Sequence, residues 1–140
     1  MSKLILADYR RYRRPILDIR KRVFTDEQQV PPALEVDELD PLSQHLLLFD
    51  NANAVATGRL TPNGQIGRIA VLKEARGRGF GRQVMLGLER LAQQQAFNEV
   101  VLGAQRPVIP FYEKLGYQAF GEFFMDAGIE HRMMRKILHS

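Results

Sequence analysis

The stretch Arg76-Gly77-Arg78-Gly79-Phe80-Gly81 lies between an apolar run, Ile69-Ala70-Val71-Leu72, and a helical pattern that begins near Gly81. A strand therefore feeds a tight, glycine-rich turn that opens directly into a helix, a place to hold a phosphate. Glycines at alternate positions bring backbone N–H groups close to an anion, and the helix behind them adds the positive end of its dipole. Each glycine at a helix start costs roughly 1 kcal/mol relative to alanine, so connection alone does not account for three of them. The spacing sorts the known phosphate loops. A dinucleotide fingerprint needs G-x-G-x-x-G and a nucleoside-triphosphate loop needs G-K-[ST], whereas this chain has G-x-G-x-G followed by Arg82. The pattern it does match is R-x-x-G-x-G, carried by Arg76, Gly79 and Gly81.

Periodicity on either side predicts a mixed α/β architecture of the α+β kind. Lys3 to Ala7 reads as an edge strand, and Pro15 fits the first turn of a helix running to about Phe24. Thr25 to Pro41 is rich in prolines and carboxylates and reads as irregular. His45–Asp50, Ala54–Thr61 and Gln65–Leu72 form three successive antiparallel strands joined by polar turns. Phe80, Val84, Leu88 and Leu91 lay one apolar stripe along a helix ending near Ala96. Glu99–Leu102 is a further strand, parallel to the one before the helix because a crossover helix joins them. A short helix over Pro107–Leu115, closed by Gly116, precedes a last hairpin of Tyr117–Phe124 and Glu130–Ile137.

At 140 residues the chain has room for one domain, 1–140, able to bury about two thirds of its unfolded surface. It has no cysteine, which excludes disulfides and cysteine chemistry and makes the cytoplasm the expected location. No apolar run approaches the length of a secretory signal or a membrane span, so no membrane partner is expected. The net charge of +4 raises nucleic acid as a partner. Its densest source, Arg10 to Arg22, is interleaved with Ile16, Leu17, Ile19 and Val23, and reads as the solvated face of an amphipathic helix. No nucleic-acid-binding motif accompanies it, which leaves this reading third in rank.

Two separated motifs carry a resemblance that covers nearly the whole chain. Arg76–Gly81 is similar to the pyrophosphate loop of the GNAT superfamily of N-acetyltransferases. Phe111-Tyr112-Glu113-Lys114-Leu115-Gly116-Tyr117 resembles the F-Y-x-K-x-G-[FY] signature that follows the fifth strand of those enzymes. Val23-Phe24, Glu27 to Pro31, Glu35, Asp37 and Asp126 to His131 are further similar to the ElaA-like bacterial branch. The resemblance implies a mostly antiparallel sheet, flanked by helices, whose central parallel strands splay apart. It also implies acetyl-CoA as cosubstrate: Ile69, Ala70 and Val71 would meet the pantetheine arm, and Arg76, Gly77, Arg78, Gly79, Phe80, Gly81 and Arg82 would wrap the pyrophosphate. Gln105 stands where many members have an asparagine that touches the cofactor, Val108 where many have alanine, and Lys114 is placed to help with the CoA phosphates.

The reaction so implied is direct attack of an amine, of a small molecule or a protein, on the thioester. The Val71 N–H would hold the oxyanion and Tyr112 would donate to the departing sulfur. Relatives often carry a glutamate on the fourth strand as base, but Gly67 and Arg68 occupy that neighbourhood here, which leaves Glu35, Asp37, Glu38, His131 or a water chain. If the acids of Thr25–Asp40 line the site, they suit a cationic acceptor. His45, His131 and His139 have no metal-ligand spacing, so no metal is expected. A CoA-binding regulatory module of the same fold is the alternative function, and the exposed edge of the C-terminal hairpin permits a homodimer.

Overall fold

The computed structural model describes residues 1–139. Strands β1 (Ser2–Ala7), β2 (Gln44–Asp50), β3 (Asn53–Leu60) and β4 (Ile66–Val71) form an antiparallel sheet in the order β1-β2-β3-β4. A second sheet contains β5 (Glu99–Gln105), β6 (Gln118–Asp126) and β7 (Ile129–Ile137) in the order β5-β7-β6. The last strand thus inserts between β5 and β6, leaving β6 as an outer edge that is exposed from Gly121 through Asp126.

The expected parallel pair of β4 and β5 is reduced to one bridge, Gln65 with Val101, where the Val101 N–H donates to the Gly64 carbonyl at 3.3 Å. Beyond that bridge the two strands part. The cause lies in β4: its pairing with β3 shifts register between Thr57 and Arg59, so that Arg68 and Ile69 together oppose Gly58. Such a bulge bends its strand, and Arg68 completes it with a left-handed backbone, φ 52°. Gly58 is required opposite it, because a Cβ there would lie 2.6 Å from Ile69 Cδ1 and 2.8 Å from Val84 Cγ1.

Helix α1 (Tyr9–Arg20) opens on Asp8, whose carboxylate accepts from the Arg10 N–H at 3.0 Å. Pro15 removes an interior donor, and the helix kinks at Tyr12 (φ −104°, ψ 16°), three residues earlier. The predicted start at Pro15 therefore corresponds to the segment after the kink. The helix then runs on past Phe24 as a π-helical stretch, Lys21–Glu27, before a single turn, α2 (Pro32–Glu35). Helix α3 (Phe80–Gln94) packs Val84, Met85, Leu88 and Ala92 onto the first sheet, all fully buried. Truncating a side chain such as Leu88 to alanine costs about 2–5 kcal/mol at sites of this kind. Alternate residues of β3 serve opposite layers: Gly58 meets α3, while Arg59 turns to the α1 side. Helix α4 (Ile109–Lys114) carries Pro110 in its first turn, where no donor is lost, and ends at Gly116, φ 97°.

Candidate functional site

The parting of β4 and β5 opens a cavity of about 770 Å³. One wall is the glycine loop. Gly77 and Gly79 both hold φ 80°, and no N–H from Gly77 through Arg82 donates to another described residue; the first helical bond is Gln83 N–H to the Gly79 carbonyl at 3.1 Å. Helix starts leave such donors unpaired, and here they are continuous with the loop before them, a concave array suited to an anion. The arginines of the motif divide their work. Arg76 donates through Nε to the Val71 carbonyl at 3.0 Å and grips Glu27 with both terminal nitrogens at 2.9 and 2.6 Å, so its side chain ties the loop to the π-helical stretch. Arg78 pairs with Asp50 at 2.7 Å, lies over the Phe80 ring and lines a separate hollow with Asp50 and Glu74. Arg82 lines the main cavity and has no ion-pair partner among the described residues.

Ile69, Ala70 and Val71 line the cavity along β4. The Leu72 N–H donates to the Val55 carbonyl at 2.9 Å. Successive N–H groups of a strand point to opposite edges, so the Val71 N–H points away from β3 into the gap. Gln105 also lines the cavity, but its amide donates to the Gln28 side chain at 2.8 Å, linking the end of β5 to the end of the π-helical stretch. Tyr112, 8% exposed, packs edge-on to Phe111 and Tyr117. Its hydroxyl has no partner among the described residues and is not sealed from solvent, so it opens onto the cavity. Burial pushes the phenol up to about 12. Lys114 lies on the exposed side of α4 and does not reach the cavity lining.

A second part of the cavity wall, Glu35 and Arg68, is the open side of a cluster of charged side chains that extends behind it. Arg20 is buried and binds the Glu35 carboxylate, the Glu35 carbonyl at 2.9 Å and Asp40 at 2.7 and 3.1 Å. Arg59 binds Asp37 at 2.7 and 2.9 Å and Asp40 at 2.8 Å. Arg68 donates to the Glu35 carbonyl at 2.9 Å and to Asp37 at 3.1 Å. Burial alone would raise the Asp40 carboxyl, but the hydrogen bonds and charge of Arg20, with the Asp37 N–H and Arg59, outweigh it and bring it to about 2. Hydrogen bonds from Arg59 likewise hold Asp37 below its ordinary value. Buried beside them, His45 contacts the Asp40 carbonyl through Nε2 at 2.8 Å and stacks on Tyr9; desolvation lowers its pKa and keeps the ring neutral.

This wall corrects two expectations. The basic face of the first helix is not solvated throughout, since Arg20 is 1% exposed and neutralised. The acids of Thr25–Asp40 bring no free charge into the cavity, because Glu35, Asp37 and Asp40 are all held by arginines. Glu38 is exposed and outside the cavity, whereas His131 lines it. The His131 Nδ1 lies 2.6 Å from the Ile129 carbonyl and its ring stacks on Phe124. A carbonyl only accepts, so the contact puts a proton on Nδ1, and in the neutral ring the lone pair is then on Nε2. No motif in the sequence assigns a role to Arg20, Asp40, Arg59 or Arg68. Only Arg20 leaves a trace in the sequence: with Ile16, Ile19 and Val23 it falls within the buried stripe of the helix.

Comparison with known proteins agrees with this geometry. The family model for the acetyltransferase (GNAT) domain matches residues 8–138. The chain is 36% identical over 138 residues to the uncharacterized N-acetyltransferase YjcF of Bacillus subtilis, an alignment covering 96% of this chain and 99% of that relative. The fold matches that of an acyl-CoA N-acyltransferase from Pseudomonas aeruginosa with a TM-score of 0.86 at 28% identity, covering 97% of this chain and 99% of that one. It matches Escherichia coli ElaA with a TM-score of 0.85 at 26% identity, again over 97% and 99% of the two chains. The loop, the splayed strands and these matches converge: the chain belongs to the GNAT acetyltransferase family.

Proposed function

We propose that this protein transfers the acetyl group of acetyl-CoA to an amine by direct attack. The observation that carries the reading is the unbroken run of unpaired N–H groups from Gly77 through Arg82 at one end of a cavity between parted strands. An array of that form suits a pyrophosphate, with Arg82 as its added cation. The gap between β4 and β5 offers backbone at Ile69, Ala70 and Val71 to an extended pantetheine arm. Acetyl-CoA supplies an activated acyl carbon and a thiolate leaving group; the chain supplies position, polarity and a proton acceptor.

The Val71 N–H is the donor for charge developing on the carbonyl oxygen. His131 takes the proton of the attacking amine through Nε2, a role that Glu35 and Asp37 cannot fill while bound to arginines. As the carbon–nitrogen bond forms, the carbon–sulfur bond breaks and its electron pair leaves on sulfur. Tyr112 faces that sulfur as a hydrogen-bond donor. With the phenol at about 12 and a thiol near 8.5, complete transfer of its proton would be uphill by about 5 kcal/mol, so Tyr112 keeps the proton and stabilises the thiolate.

Free-thiol release from acetyl-CoA over a panel of amines tests the reading directly. Tyr112→Phe should lower kcat about 10- to 100-fold and leave the Kd for CoA within about twofold, since one charge-assisted hydrogen bond contributes about 1.5–3 kcal/mol. CoA binding without turnover on any amine would favour a binding module over a transferase. Normal turnover by the variant would remove Tyr112 from the mechanism.

A further inference from the structure

Of the two charged network side chains that line the cavity, Arg68 and Glu35, the more exposed is the cation. Arg68 lines the cavity with its side chain 26% exposed, against 1% for Arg20 and 6% for Arg59. Three constraints hold it: the left-handed backbone of the bulge, the Nε bond to the Glu35 carbonyl and the Nη2 bond to Asp37. A non-glycine residue keeps such a backbone at a cost of about 1–3 kcal/mol, so the surrounding fold fixes where this side chain starts. Its Nη1 has no partner among the described residues.

The cluster as a whole is rich in donors. Three guanidinium groups carry about fifteen N–H bonds. Arg20, Arg59 and Arg68 spend nine hydrogen bonds on Glu35, Asp37, Asp40 and one backbone carbonyl. The Arg59 Nε is buried with no acceptor among the described residues. Glu35 does not compensate Arg68 fully: its Oε1 is 3.8 Å from the Arg68 Nε and already bound by Arg20. Across the cavity stand Asp126 and His131, neither paired with Arg68. A planar oxyanion is the ligand that supplies acceptors to an open guanidinium edge.

We infer that Arg68 anchors a carboxylate carried by the acceptor amine, so that the acceptors are amino-carboxylates, an inference that rests on the transferase reading above. The carboxylate docks on the open edge of Arg68 while the amine faces His131 and Asp126 on the other sheet. This reverses the cationic acceptor that the acid-rich segment suggests from sequence, because those acids are consumed in fixing the arginines.

Matched acceptors decide the matter: glycine against glycinamide, 4-aminobutanoate against 4-aminobutanamide, and 6-aminohexanoate against 6-aminohexanamide, each with acetyl-CoA. The carboxylate of at least one pair should have the larger kcat/KM by tenfold or more, mostly through KM. Arg68→Gln should bring that ratio close to one and Arg68→Lys should keep part of it, with the Kd for CoA unchanged in both. Equal or better use of the amides by the wild type, or a ratio that survives Arg68→Gln, overturns the inference while leaving the transferase reading intact. Where Arg68→Gln does not fold, shown by a lost thermal transition, Arg68→Lys reads the same ratio. If no amine is acetylated, the transferase reading has failed, and calorimetric titration of 6-aminohexanoate into the CoA-loaded protein decides Arg68 alone. Saturable binding lost in the variant sustains the anchor, and no binding ends it.

Discussion

The two walls of the cavity recognise charge by opposite means. The loop wall is backbone: a run of N–H groups within residues 77–82, aimed by two glycines at positive φ, while two of its three arginines turn to carboxylates outside the cavity. The network wall is side chain: Glu35 and Arg68 line the cavity, backed by Arg20, Asp37, Asp40 and Arg59 from the first helix, the irregular segment and a strand, and almost every charge is spent on another. The first wall tolerates changes of side chain and fails when its dihedrals change. The second fails when any partner is removed, since a buried charge left unpaired costs far more than the pair contributes.

The largest effect expected from this contrast is Asp40→Ala, which strips a shared carboxylate from Arg20 and Arg59. It should lower unfolding stability in urea by about 3–5 kcal/mol, whereas Arg78→Ala on the loop side should leave the transition midpoint in place. Equal losses would erase the distinction between the walls.

Next comes Gly79→Asp, which imposes a side chain at φ 80° and a negative charge at the anion array. The Kd for CoA should rise at least about 100-fold, or about 2.7 kcal/mol, while unfolding stability in urea falls by no more than the roughly 1–3 kcal/mol that a side chain at positive φ costs. Retained affinity, measured by calorimetry, would sink the loop assignment.

Acid should dissolve the network before the loop. Asp40 titrates at about 2 in the fold against an ordinary 3.8, so the unfolded chain binds more protons between those values. The stability this group contributes is complete above about pH 4 and is lost as pH falls through 2, an amount of about 2 kcal/mol. Urea melts from pH 5 to 2 should show that slope flattened in Asp40→Asn.

Smallest is the division of labour among the loop arginines. Arg82→Ala should weaken CoA binding about fivefold, and Arg76→Ala by less, because its guanidinium is already held by Glu27. The reverse order would show that Arg76 leaves Glu27 to take the phosphate.

Much of the architecture was legible before the fold was known. Strands β2, β3 and β4 follow from apolar runs punctuated by polar turns, and α3 from a stripe at helical spacing, because these are local periodicities. The register of the last sheet was not: β7 pairs with both β5 and β6, and nothing in a hairpin sequence states which side of a distant strand it joins. Nor was the bulge at Arg68, which depends on the space that Gly58 leaves beneath Ile69. Arg20 reads as one more surface cation until Glu35 and Asp40 are seen to enclose it.

The sequence by itself determined the loop, since an array of N–H groups is made by consecutive residues and glycine is the one residue type that takes positive φ freely. It likewise placed Tyr112 on a short helix following a strand. Only the tertiary structure decided which charges are free. Ion pairs form between residues up to 52 apart in the chain, and desolvation, not composition, sets which of them still faces the cavity. A basic helix and an acidic segment, each unremarkable as text, cancel one another on folding and leave Arg68 to meet the acceptor.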